Sequence, residues 1–311
     1  MNLEPEITEW IALSESLYET GVDDSVLVQR DVYNRYCAHF NPPHPAGLHD
    51  RYDQIAGVPV RWYWTDDATD ACIVYFHGGG FVVGGLESHD LTCAHLALNT
   101  RCRLVTVDYR MAPEHIFPAA FDDCYAVLQA LQQSPAAFGI DAQKIVLCGD
   151  SAGGNLTAAV ALANRDRGGL SLRGQIMIYP RMSDEMSFPS YTECADAPLL
   201  ATRDVEYYHR IYTGGEKIDS PYLSPATSHR FTDLPPALLM PVEYDPLRDD
   251  ALDYHKKLMA AGVKSELHLG KGLVHGCIRA LKISPGVQMM YARMVNFVRR
   301  AVDESNLEKA E

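Results

Sequence analysis

No stretch of this sequence approaches the ~20 consecutive apolar residues that a membrane-spanning helix needs. The start, MNLEPEITEW, is acidic and amphipathic. It lacks the basic residues and apolar run of a secretory signal, so a cytoplasmic location is expected, with no stable membrane association. Positive charge is scarce: 27 Lys and Arg stand against 41 Asp and Glu, a net charge of −14. Phosphate binding needs concentrated Lys and Arg, so no nucleic-acid partner is expected. The same deficit argues against adsorption to anionic lipid. The eight cysteines form no Cys-x-x-Cys pair, which leaves zinc-ribbon and thioredoxin-like signatures unwritten. They are read as reduced thiols, with Cys72 and Cys148 filling the core from strand-like apolar runs. Internal repeats and low-complexity tracts are also missing.

What is present is a chain of 311 residues, 47% hydrophobic and 22% charged, long enough to bury a large core unaided. Residues 4–19 carry Ile7, Trp10, Ile11, Leu17 and Tyr18 at helical spacing. A second helical stretch covers 23–39, with Val28, Val32 and Tyr36 on one side. The NPPHPAG segment at 41–47 breaks the pattern. Residues 1–48 are therefore expected to form a helical appendage before a catalytic domain at 49–311.

After the break the rhythm changes. Val58, Val60, Trp62 and Trp64 alternate with Pro59, Arg61 and Tyr63, which predicts a half-buried strand. The run 71–76 is continuously apolar, as in a strand covered on both faces. Strands at 103–108, 144–148, 175–179, 237–242 and 264–269 then alternate with helices at 88–99, 119–133, 152–165, 203–213, 248–261 and 287–302. This alternation predicts an α/β fold, a mostly parallel central sheet with helices on both faces. The 181–235 segment, rich in Pro, Tyr, Asp and Ser, is a long excursion between two strands. Such excursions form lids or binding loops.

Chemistry concentrates at Gly149-Asp150-Ser151-Ala152-Gly153, a G-x-S-x-G pattern. The apolar KIVLC before it predicts a buried strand, and GNLTAAVALANRD after it predicts a helix. A strand-to-helix turn this tight leaves no room for flanking side chains and pushes the Ser151 hydroxyl over the sheet edge. It also aims the positive end of the helix at a developing oxyanion. His77-Gly78-Gly79-Gly80 follows the strand ACIVYF. Its bare backbone N–H groups suit an oxyanion hole, assigned here to Gly79, Gly80 and Ala152.

A serine nucleophile needs a base, and the base needs an orienting carboxylate. In this fold class the order is Ser, acid, His. Of the late histidines, His255 lies in a helical pattern and His268 in a strand, whereas His275 lies in a glycine-flanked loop at the sheet's C-terminal edge. His275 is therefore the predicted base. Asp245, after the strand ALLMPV, is the predicted acid, and Asp184 is its rival.

HGGGF at 77–81, DYRMAPE at 108–114, FPAAFDD at 117–123, GDSAGGNL at 149–156, EYDPLRDD at 243–250 and VHG at 274–276 occur in one order. Together they resemble the hormone-sensitive-lipase family of bacterial esterases, family IV of the α/β hydrolases. GGLESHD at 84–90 is similar to bacterial acetyl esterases within it. The resemblance implies the triad Ser151, Asp245 and His275 and the glycine-rich oxyanion hole. It implies that the N-terminal helices and 181–235 form a cap, and that Asp108, Arg110 and Glu114 tie loops near the site. It is compatible with a homodimer.

The expected reaction is acyl transfer on a small-molecule ester of short to medium chain, without metal or cofactor. Phe188, Tyr207 and Tyr208 are candidates for the pocket lining or for the core of the cap. Activity is expected to fall on acidification as His275 takes up a proton. An amidase acting on N-acyl groups would carry the same triad. A binding module that has retired its triad is the rival in another class, although His275 and Asp245 are both retained. A metal-dependent hydrolase using His77, His89, Asp90 and His95 would need a spacing that His89 and His95 lack.

Overall fold

The computed structural model describes residues 1–17 and 25–303. The expectations at Tyr18 and at 23–24 fall outside the described residues. Helices α1 (Pro5–Leu17) and α2 (Val26–Phe40) precede a hairpin of β1 (Leu48–Ile55) and β2 (Val58–Thr65). Next come β3 (Cys72–Phe76), α3 (Asp90–Thr100), β4 (Arg103–Val107), α4 (Ala119–Gln133) and the short α5 (Pro135–Phe138). They lead into β5 (Ile145–Asp150), α6 (Ala152–Asp166) and β6 (Gly174–Ile178). The excursion holds α7 (Ser190–Glu193) and α8 (Thr202–Thr213). The chain continues through β7 (Ala237–Met240), β8 (Val242–Tyr244), α9 (Arg248–Ala260), β9 (Ser265–Leu267), β10 (Gly270–Val274) and α10 (Pro285–Val302).

Eight strands form one sheet in the order β1-β2-β4-β3-β5-β6-β7-β9. The pairings β1–β2 and β2–β4 are antiparallel and the rest are parallel. Strands β8 and β10 pair in parallel as a second, small sheet. Alternation within the central strands divides the core in two. From β3, Cys72, Val74 and Phe76 pack toward Phe121, Leu128 and Leu156 of α4 and α6. Ile73 and Tyr75 pack on the other face, toward Leu96 of α3 and Met290 and Met294 of α10. Ile7, Trp10 and Ile11 of α1 join that second face, so the first helix is seated on the same core as the sheet.

Three sequence expectations are corrected. β2 is not half-buried: Arg61 and Tyr63 are covered as well as Val60 and Trp62. Arg61 tolerates this because its guanidinium pairs with Asp50 and Asp90. The strand at 237–242 ends at Met240, and Pro241 separates it from β8, since proline cannot donate to the ladder. The loop expected before His275 contains β10. β1, which the sequence reading left unassigned, is polar and largely exposed along LHDRYDQI, as an outer strand with one free edge allows. All eight cysteines are free and buried.

Candidate active site

The C-terminal ends of β3, β5, β8 and β10 converge on one edge of the fold. β5 hands directly to α6 through Ser151, whose backbone is forced to φ 54°, ψ −118°. Positive φ is costly for a residue with a Cβ, and such strain persists only where neighbours over-determine it. Here they do. Ser151 N donates to Ile178 O at 2.8 Å. A Cβ on Gly149 or Gly153 would overlap the main chain of the opposing turn and of Phe76. The expected absence of room at the flanking positions is met.

His275 Nε2 lies 2.9 Å from Ser151 Oγ, and His275 Nδ1 lies 2.8 Å from Asp245 Oδ2. Asp245 has no exposed surface, and its other oxygen accepts Leu247 N at 2.8 Å. The Tyr179 ring packs on the imidazole with centroids 4.5 Å apart. The two predicted partners of Ser151 are thus brought together. The rivals are not. His255 Nδ1 lies against Ser265 Oγ, His268 sits one residue past β9, and Asp184 lines a neighbouring cavity with Glu185 and Lys217 that meets the reaction cavity at His209.

Gly79, Gly80 and Ala152 line one cavity with Ser151. Gly79 and Gly80 have φ of +124° and +61°, and Gly79 O accepts Val82 N and Val83 N, each at 3.0 Å, which fixes the loop. Gly78 N is already engaged, donating to Asp150 Oδ1 at 3.0 Å. Ala152 is the first residue of α6, where backbone N–H groups have no intrahelical acceptor.

Asp150, left without a role by the sequence, knots this edge together. Tyr75 Oη donates to its Oδ1 at 2.8 Å, and His89 Nε2 lies 3.3 Å from its Oδ2. Burial works against its charge, yet His89, Arg279 and Tyr75 together hold the carboxyl below the ordinary range. Arg279 reaches Tyr33 of α2 and His89. Asn155 is structural: its Nδ2 donates to Arg181 O and Leu223 O at 2.8 and 2.9 Å. Arg110 forks onto Asp123, and Glu114 pairs with Arg30 of α2 at 2.7 Å. Asp90 is taken up by Arg61, Tyr63 and His44, and among the described residues no three metal-ligating side chains gather.

The cavity over Ser151 measures about 580 Å³. Tyr33 and Tyr36 of α2 and Val205 and Tyr208 of α8 form part of its wall. Gln29 Nε2 donates to Tyr207 Oη at 2.8 Å, joining these two helices. Of the three aromatics singled out from sequence, Tyr208 faces the cavity. Phe188 packs instead against the cluster of Tyr191, Leu200, Val205 and Leu247. The sequence reading passed over Arg181 and His209, which also line the cavity. The position of Arg181 just past a sheet strand was the available signal. Among the described residues, no helix is long and apolar enough to cross a membrane.

Comparison with known proteins adds names to this geometry. A family model described as alpha/beta hydrolase fold matches residues 73–279. Carboxylesterase NlhH of Mycobacterium tuberculosis is 38% identical over 257 residues, covering 81% of each chain. Esterase LipI of the same organism is 39% identical over 234 residues, 73% of each. The crystal structure of an esterase from the bacterial hormone-sensitive lipase family superposes with a TM-score of 0.89 at 28% identity, covering 97% of this chain and all of the other.

Proposed function

This chain is a member of the alpha/beta-hydrolase-fold family, in its hormone-sensitive-lipase branch, and a carboxylic ester hydrolase; we propose that it cleaves short to medium acyl esters through Ser151, His275 and Asp245. The observation that carries the reading is the unbroken relay Ser151 Oγ–His275 Nε2 and His275 Nδ1–Asp245 Oδ2, at 2.9 and 2.8 Å.

His275 takes the hydroxyl proton as Ser151 Oγ attacks the ester carbonyl carbon. Asp245 fixes the imidazole and stabilises its cation. The N–H groups of Gly79, Gly80 and Ala152 receive the oxyanion, and losing one such donor costs about 3 kcal/mol of barrier. The tetrahedral adduct collapses, the carbonyl re-forms, and the alcohol leaves with the proton from His275. Water attacks the acyl-enzyme by the same path and releases the acid.

The helices α1 and α2 and the 181–235 segment act as a cap in this reading. Tyr208 beside Gly80 favours small acyl groups over long chains. The test is hydrolysis of p-nitrophenyl esters from acetate to palmitate by wild type and Ser151→Ala. Activity on short chains that disappears in the variant is expected. Equal rates on acetate and palmitate would contradict the size limit.

A further inference from the structure

Arg181 lies three residues beyond the end of β6, at the sheet edge that carries Ser151. Its residue is only 6% exposed, yet it lines the cavity with Ser151 and His275. Asn155 pins its main chain. Of its guanidinium, Nη1 donates to His209 Nδ1 at 2.9 Å. Nε and Nη2 are shut off from solvent and meet no hydrogen-bond acceptor. No carboxylate among the described residues forms an ion pair with it. The neighbouring acid Asp250 feels the Arg181 charge, but its hydrogen bonds go to Met182 N, Ser183 N and Tyr191 Oη.

Of the other charged groups on this cavity, Glu15 is exposed to solvent and the rest are answered. Asp150 has Tyr75 and Gly78, Arg279 has Tyr33 and His89, Asp204 accepts Ala201 N, and Asp196 pairs with Arg203. An arginine only donates, so His209 Nδ1 must accept and its hydrogen resides on Nε2. Burial and the Arg181 charge, against the opposing pull of Asp184, bring the His209 pKa down to about 4, which keeps the ring neutral. This corner of the cavity therefore offers the His209 Nε2–H as a donor beside a desolvated positive charge. A buried cation with no hydrogen-bonded counter-ion is costly, and a carboxylate answers it in charge.

We propose that Arg181, with His209, forms an anion subsite of the reaction cavity, and that the preferred ester carries a free carboxylate. The proposal rests on the ester-hydrolase reading of the same cavity. A carboxylate on the acyl side and one on the alcohol side share this chemistry, and two substrate pairs separate them.

The experiment compares monomethyl glutarate with methyl hexanoate, and 4-acetoxybutanoate with pentyl acetate, by titrating released acid. The net charge of −14 repels anions at long range. Rates are therefore measured at an ionic strength where the screening length is about 8 Å. Wild type is expected to favour the charged member of at least one pair by ~10-fold or more in kcat/KM. Arg181→Met is expected to lower that ratio by ~10-fold, with partial recovery in Arg181→Lys. Should the variants fail to fold, the wild-type ratios and competitive inhibition by glutarate decide. Hydrolysis of the neutral esters with no preference for the charged ones overturns the anion subsite alone. No hydrolysis of any ester overturns the reading beneath it.

Discussion

Gly153, in the first turn of α6, lies against the main-chain carbonyl of Phe76 at the end of β3, so closely that a methyl group on it would overlap that oxygen. Neither side can yield easily. β3 is hydrogen-bonded on both flanks, to β4 and β5, and α6 starts at the residue after Ser151. Gly153→Ala is therefore expected to displace the serine from His275. We expect kcat/KM to fall ~100-fold or more and stability to drop by about 1–3 kcal/mol. Ester hydrolysis beside a urea melt checks both, and an alanine variant with the wild-type rate would refute the close contact.

Asp245 is fully buried and accepts hydrogen bonds from Leu247 N and, in the neutral state, from His275 Nδ1. Asparagine has the same shape but favours the other tautomer of the imidazole. Asp245→Asn is expected to fold and to lose about 10⁴-fold in kcat. Circular dichroism and steady-state kinetics on one preparation distinguish this from unfolding. A loss of less than about tenfold would remove Asp245 from the relay.

Tyr208 limits the cavity next to the oxyanion loop: a Cβ on Gly80 would overlap its ring. Tyr208→Ala opens space there. The acyl-chain optimum is expected to move to longer p-nitrophenyl esters, with the acetate rate falling less than the longer-chain rates rise. An unchanged chain-length profile would place the acyl group elsewhere.

Acid stability follows from the buried histidines. His77 is wholly buried, its Nδ1 faces Gly78 O at 2.8 Å, and its Nε2 has no partner. Burial pushes its pKa down to about 4. Burial lowers His95, His209, His255 and His268 as well. Unfolding frees each ring to bind a proton near its ordinary pKa of about 6.5. Between about pH 4 and 6.5 the unfolded chain therefore holds more protons, and stability falls on acidification. The slope is at most ~1.4 kcal/mol per pH unit for each fully buried ring. Asp250 acts in the opposite sense, as does Asp108, whose pKa burial also raises: burial lifts the Asp250 pKa to about 7, and its share of stability declines as pH rises toward that value. With the imidazoles outnumbering them, the urea midpoint is expected to drop from pH 7 to pH 5. A midpoint that rises over that interval would contradict the burial argument.

The nucleophile was legible because its signals are local. An apolar strand, two glycines and an alanine-rich helix lie within one stretch of chain, and sterics alone then dictate the turn. His275 and Asp245 were found by chain order and strand ends, which survive without knowledge of packing. What stayed hidden was set by distant partners. Asp150 is decided by Tyr75, Gly78 and His89, and Arg181 by Asn155 and His209, none of which periodicity connects. β10 was missed because GKGLV reads as a loop until β8 supplies its pairing. β1 was missed because an outer strand facing solvent carries no apolar alternation.

The central claim is that Ser151 Oγ becomes acylated. The most direct measurement is to treat the protein with a p-nitrophenyl alkylphosphonate and map the adduct by peptide mass spectrometry. A single phosphonyl group on Ser151, with stoichiometric loss of esterase activity and no adduct in Ser151→Ala, is the predicted result. Activity that survives the reagent, or a label on another residue that accompanies its loss, would contradict the account.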